Sequence, residues 1–208
     1  MKKLNKVILI CGVPGTGKST IALKLADTFG IDQIASTDIL REIMRSLIKK
    51  EKMPILFSTT HEAWKHIGEK NNENIIKGVI CHARLIYPQI IHLIKQAEKE
   101  GRDIILEGVH LIPEIFDKIK DSTSQEVHYF LLHLKDKKEH FKRFDYKNEK
   151  RTIFHSAWYS NFENMQLIDN WLRNEAAKRG LNIIENNNLP ETMKKAASIL
   201  KNEILYVK

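Results

Sequence analysis

A chain of 208 residues, 42% hydrophobic and 29% charged, is the size of one globular domain with a sizeable core, and its composition points to neither a disordered nor a membrane class. Its formal charge of +8 suits nucleic acid, acidic metabolites, an anionic surface or a lysine-rich solvated exterior, so charge alone selects no partner. Cys11 and Cys81 lack metal-ligand spacing and read as reduced core thiols. No convincing export or membrane-spanning stretch occurs, which makes the cytoplasm the expected compartment and a membrane an unexpected partner.

The first apolar run, VILIC at residues 7–11, reads as a buried strand. It leads directly into Gly12-Val13-Pro14-Gly15-Thr16-Gly17-Lys18-Ser19-Thr20, whose first eight residues match G-x-x-x-x-G-K-[ST]. After them Ile21, Leu25 and Phe29 fall four apart and Gly30 supplies a stop, the pattern of an amphipathic helix. A strand, this loop and a helix in that order form a phosphate-binding loop. Its glycines let successive N–H groups converge on a phosphate at a helix N-terminus. Lys18 is expected to bridge the β- and γ-phosphates and the Ser19 hydroxyl to coordinate Mg²⁺, which makes ATP and Mg²⁺ the expected cofactors.

The second strand, QIAS at 33–36, runs into STDILREIMR. Asp38 stands where a carboxylate would orient or deprotonate an acceptor hydroxyl or position the metal, although Thr37 or Asp38 could also cap the next helix. Arg41, one turn on and on the same face, is expected to clamp an anionic acceptor, with Arg45 a turn further. Residues 39–100 are too many for a simple crossover and read as a wholly helical acceptor-binding flap, with Thr60 and Asn72 as N-caps and Pro54 and Pro88 as interruptions. Arg84 on this flap is a further candidate for the acceptor.

The third strand, DIILEG at 103–108, ends on Glu107, expected to meet the magnesium hydration shell, and His110 three residues later is a candidate acceptor contact. The fourth, VHYFLLHL at 127–134, precedes a densely charged stretch that reads as a helix and then a mobile connection. Its lid region, about 137–158, would bring Arg143 and Arg151 to the transferring phosphoryl group. A long helix is expected near 161–179 and a fifth strand at 181–186. The NNN turn that follows is a candidate contact for the base, and Asn188 caps a last helix with Pro190 in its first turn.

Strands alternating with helices predict an α/β fold with a parallel sheet. The chain carries no N-K-x-D guanine-reading sequence and no L-S-G-G-Q signature, and it is too short for a helicase core, which leaves a kinase acting on a small acceptor as the expected class.

At STDILREIMR, EGVHLIP and HFKRF…YSNFENMQLID the chain resembles the archaeal 2-phosphoglycerate kinases and their P-loop kinase relatives, over most of its length. The resemblance implies a P-loop NTPase fold of the nucleoside-monophosphate-kinase kind, a five-stranded parallel sheet in the order 2-3-1-4-5 with a helical flap and a lid. It implies ATP-dependent phosphorylation of a small phosphorylated hydroxy acid, 2-phosphoglycerate giving 2,3-bisphosphoglycerate in the named case. Gly12 to Ser19 would hold ATP and Mg²⁺, Asp38 and Arg41 would face the acceptor, and Glu107 with His110 would line the site. Members often carry a further domain before the P-loop, whereas eleven residues precede Gly12 here, and arginines expected in the lid and the next helix correspond to Lys147 and Gln166. Those replacements, with the basic charge, keep two other readings open: a nucleotide or polynucleotide 5′-hydroxyl as acceptor, or a non-enzymatic ATP-binding switch or nucleic-acid-binding module.

Overall fold

The structure, a computed structural model, describes residues 5–149 and 162–202. Five strands, β1 (Lys6–Cys11), β2 (Gln33–Ser36), β3 (Ile104–Glu107), β4 (Glu126–His133) and β5 (Asn182–Glu185), pair in parallel in the order β2-β3-β1-β4-β5. This is the predicted order, with every strand within a residue of its expected ends. β1 is buried along its whole length, which explains its unbroken apolar run. Val7, Leu9 and Cys11 face one layer of the core and Ile8 and Ile10 the other.

The second of these layers is closed by α1 (Lys18–Phe29) and α7 (Leu189–Asn202), the first by α3 (Asn72–Glu100), α4 (Pro113–Ser122) and α6 (Phe162–Lys178). α2 (Thr37–Leu47) follows β2, and α5 (Lys137–Glu149) follows β4. β1 lies between β3 and β4, and the connections leave it in opposite directions, so a crevice opens outside the carboxyl ends of these strands.

Gly30 and Gly101 end their helices at φ of 66° and 69°, a left-handed conformation that suits glycine. Asn188 Oδ1 accepts from the Glu191 amide at 3.1 Å as the predicted cap of α7.

The flap departs from its expectation. Residues 39–100 are not wholly helical: α2 stops at Leu47, and two 3-10 turns, Pro54–Phe57 and Thr60–His66, precede α3. Pro54 opens the first turn, where its missing N–H has no helical partner to lose. Thr59, not Thr60, precedes the second, and Asn71, not Asn72, caps α3 by accepting from Asn74 N at 2.8 Å. Pro88 does not interrupt α3, because Ile86, Ile90 and Ile94 around it are fully buried and their packing outweighs one lost backbone bond. Ser36, rather than Thr37 or Asp38, caps α2. Cys11 is buried as expected, whereas Cys81 is only half-buried on α3. No helix among the described residues is long and apolar enough to cross a membrane. Of the lid region only α5 falls within the described residues; Arg151 and the connection around it lie outside them.

Candidate active site

The phosphate loop leaves β1 at Gly12, where φ is 148° and a Cβ would come within 2.4 Å of the Leu132 carbonyl oxygen. Gly17, at φ 88°, turns the chain into α1, and a Cβ there would lie 2.4 Å from Asn186 Nδ2. That amide donates to Thr16 O at 2.8 Å, fastening the loop to the end of β5. Thr16 Oγ1 and Lys18 Nζ both donate to Val13 O, at 2.9 and 3.1 Å, so the lysine arches over the mouth of its own loop.

Gly15, Lys18, Ser19 and Thr20 open onto a cleft whose far wall is Arg143, Asn186 and Leu189. Arg143 donates to the carbonyls of Asn186 and Asn187 at 2.7 and 3.1 Å and to Glu139 at 2.8 Å, which ties α5 to the NNN turn. Glu107 is 8% exposed, and its Oε1 accepts from Ser19 Oγ at 3.0 Å. The two predicted magnesium-side residues of β3 and α1 thus share one hydrogen bond.

On the other side of the loop Val13 and Pro14 wall a smaller cleft together with Asp38, Arg41, Thr60 and Met165. Asp38 is largely exposed and lies 3.8 Å from Arg41 Nη2. Arg41 is mostly buried, and its Nε has no hydrogen-bond partner among the described residues. Arg41 donates to Ser58 O and Glu42 at 3.4 Å each, whereas Arg45 is held more closely by Leu56 O (2.8 Å), Ser58 O (3.0 Å) and Glu42 (2.7 Å) and so shapes the flap from behind.

His110 is fully buried between Thr37 Oγ1 (2.8 Å) and Thr60 Oγ1 (3.0 Å), behind the wall of the smaller cleft rather than in it. Arg84 forms a two-pronged pair with Glu114, 3.1 Å on each arm, and lines neither cleft. Its guanidinium is satisfied on the exposed surface of α3. Asp38 belongs to the smaller cleft, and Ser19 to the larger.

Two residues of this region were not evident from sequence. Gly108, at φ 148°, lets the end of β3 pass under α2, since a Cβ would sit 1.8 Å from Thr37 Oγ1. The glycine immediately after the strand-ending glutamate was the available signal. His140, 1% exposed, donates from Nε2 to Pro14 O at 2.7 Å and accepts at Nδ1 from Gln166 Nε2 at 2.8 Å. It links the phosphate loop to α5 and α6, and in a lysine-rich stretch nothing marked it. Burial lowers its pKa and keeps the ring neutral, as these two roles require.

The smaller cleft is backed by further neutral imidazoles. Burial pushes His61 and His82 down to about 4 and His110 to about 3, with the Arg41 guanidinium acting in the same direction. No group of three or more His, Cys, Asp or Glu side chains among the described residues could hold a metal by itself. A hydroxyl and a carboxylate, Ser19 and Glu107, are hard oxygen donors of the kind Mg²⁺ accepts alongside phosphate oxygens and water.

No protein-family model matches the chain. Curated relatives do. The 2-phosphoglycerate kinase of Methanocaldococcus jannaschii is 29% identical over 194 residues, 93% of this chain and 62% of its own length. That of Pyrococcus furiosus is 31% identical over 193 residues, again 62% of its own length. The chain is 2-phosphoglycerate kinase-like. This 2-phosphoglycerate kinase-like chain spans about 62% of the length of those relatives. Among solved structures, a gluconokinase from Sinorhizobium meliloti 1021 superposes with a TM-score of 0.52 at 13% identity over 100% of both chains. Shikimate kinase from Acinetobacter baumannii, in complex with shikimate, gives 0.51 at 14% over 99% and 96%. At such identities these two likenesses establish the shared P-loop kinase fold.

Proposed function

We propose that the chain is an ATP- and Mg²⁺-dependent kinase that phosphorylates a hydroxyl of a small phosphorylated hydroxy acid, with 2-phosphoglycerate as acceptor and 2,3-bisphosphoglycerate as product. The observation that carries this reading is that the phosphate loop is a wall common to two clefts. Val13 and Pro14 line the smaller, and Gly15 with Gly17 to Thr20 line the larger. A nucleotide seated in the larger cleft, with its phosphates on the N–H groups of the loop, would present its terminal phosphoryl group towards a ligand in the smaller.

In this reading Lys18 turns from Val13 O to the phosphates, and Ser19 with Glu107 holds Mg²⁺. When bound, the ion would neutralise charge on the phosphate oxygens. Arg41 holds an anionic group of the acceptor, and Asp38 accepts the proton of the attacking hydroxyl. One O–P bond forms as the bond from the γ-phosphorus to the departing ADP oxygen breaks. Arg143 stands on the nucleotide side, next to the NNN turn.

ADP release measured with ATP and Mg²⁺ tests the reading across 2-phosphoglycerate, 3-phosphoglycerate, glycerate, nucleoside monophosphates and a 5′-hydroxyl oligonucleotide. Stimulation by 2-phosphoglycerate above the others is expected. Stimulation by a nucleotide or the oligonucleotide alone would replace the acceptor, and ATP binding without any turnover would remove the kinase reading.

A further inference from the structure

Beneath the smaller cleft, four side chains that play no part in the proposed transfer form one buried string. Thr37 Oγ1 lies 2.8 Å from His110 Nδ1, and His110 Nε2 lies 3.0 Å from Thr60 Oγ1. Thr60 Oγ1 lies 3.3 Å from His82 Nδ1, and His82 Nε2 lies 2.6 Å from Ile55 O. Thr37, His82 and His110 are fully buried and Thr60 is 6% exposed.

The protons can be placed from the far end. A carbonyl oxygen only accepts, so His82 Nε2 carries its hydrogen. A neutral imidazole then offers Nδ1 as an acceptor, and Thr60 must give its one hydroxyl hydrogen to it. Thr60 therefore accepts from His110 Nε2–H, which leaves His110 Nδ1 to accept from the Thr37 hydroxyl. The string runs in one direction, and reversing any member would set two hydrogens or two lone pairs against each other. Burial favours the neutral ring at both histidines.

The string joins opposite sides of the cleft. Thr37 immediately precedes Asp38 in the first turn of α2, and Thr60 sits between Thr59 and His61, which line the facing wall. We propose that it is the positioning device of the acceptor cleft, locking the turn that bears Asp38 to the wall of Thr59 to His61, with His110 as its central positioning residue. The proposal rests on the kinase reading for its kinetic consequence and on the hydrogen-bond geometry of two neutral rings for its proton order. It also bears on specificity. Thr60 has given its hydrogen to His82, and the Thr59 hydroxyl donates to Glu62 at 2.7 Å, so neither threonine has one left for a ligand. Among the described lining residues, Arg41 is then the cation that meets an acceptor anion.

The test begins with the unmutated chain. Long-range ¹⁵N–¹H correlation at pH 7 should show His82 and His110 both neutral, protonated at Nε2 and bare at Nδ1; an Nδ1–H tautomer or a charged ring at either would overturn the string. Because His110→Phe could simply fail to fold, the kinetic arm uses the near-isosteric Thr37→Val. Its KM for 2-phosphoglycerate should rise about tenfold with the KM for ATP within about twofold, Thr37→Ser should restore it, and amide exchange at Asp38 and His61 should quicken together. An unchanged acceptor KM and unchanged exchange in the folded Thr37→Val protein would overturn the positioning role. If the unmutated chain turns over no 2-phosphoglycerate, the proposed acceptor fails, while the tautomers and the paired exchange rates still decide the string.

Discussion

The larger cleft is walled on its loop side by near-consecutive residues, Gly15 to Thr20, whereas the smaller draws Val13, Asp38, Thr60 and Met165 from the ends of separate elements. The first is shaped by backbone conformation. At Gly12 and Gly17 a single methyl would strike a carbonyl or a buried amide. The second is shaped by pairs of side chains far apart in sequence, His110 with Thr37 and with Thr60 across 73 and 50 residues. A cleft made by backbone has little freedom to change what it binds. A cleft made by side chains on a flap can be retuned by a few substitutions, which is where one fold comes to serve different acceptors.

Changes at the reacting centre should separate the two clefts most sharply. Asp38→Asn should lower kcat about 10²–10⁴-fold while ATP affinity, read by calorimetry, stays within about twofold, because the carboxylate belongs to the smaller cleft. A parallel loss of ATP binding would mean that the two clefts are not separable. Lys18→Ala acts from the other side. Turnover should fall roughly 10²–10³-fold with every acceptor that the unmutated chain accepts, and an acceptor-dependent loss would contradict its placement.

Gly108→Ala tests where the two modes of construction meet, since this backbone glycine makes room for the Thr37 hydroxyl at the end of the string. The substitution should cost about 3 kcal/mol, read from the urea midpoint. Gly30→Ala, at a left-handed φ of 66° with nothing within 4 Å, should cost only about 1 kcal/mol. Equal effects would show that conformation alone, without the close approach, governs both sites.

A smaller and more graded effect should come from acid. His61, His82 and His110 have folded pKa values of about 4, 4 and 3, below the ordinary 6.5. Above that ordinary value the rings are neutral in both states and their contribution to stability is complete. As pH falls from 6.5 towards 4 the unfolded chain takes up protons that the folded chain refuses, so stability declines. Each ring should lose on the order of 1–2 kcal/mol by pH 5. The groups around them, Asp38, Arg41, Arg45, Glu62, Lys65 and Lys18, act in both directions, and burial is the largest cause of each shift. Urea midpoints that stay level between pH 7 and pH 5 would refute the neutral, buried assignment.

Much of the fold was legible because its signals are local. β1 is apolar at every position since both of its faces are buried, and Gly30 and Gly101 mark helix ends by a conformation that other residues avoid. The same holds for the phosphate loop, whose spacing is a backbone requirement. Asp38 and Glu107 stood out as candidates because Asp38 closely follows, and Glu107 ends, a strand that stops at the crevice. The flap was misread where tertiary packing overrode a local rule, as at Pro88, whose helix continues through the core. His110 looked like a ligand contact from its position after Glu107, but its partners Thr37 and Thr60 are brought to it only by folding. Nothing periodic or compositional announces such a pairing, and the same is true of His140 beneath Pro14.

Whether Asp38 and Lys18 act across one phosphate loop on two bound substrates can be read from ³¹P NMR of the chain with ATP, Mg²⁺ and 2-phosphoglycerate. The predicted result is the growth of 2,3-bisphosphoglycerate signals in step with ADP, abolished in Asp38→Asn although that variant still binds ATP. ADP accompanied only by inorganic phosphate, or an Asp38→Asn variant that forms product at the unmutated rate, would contradict it.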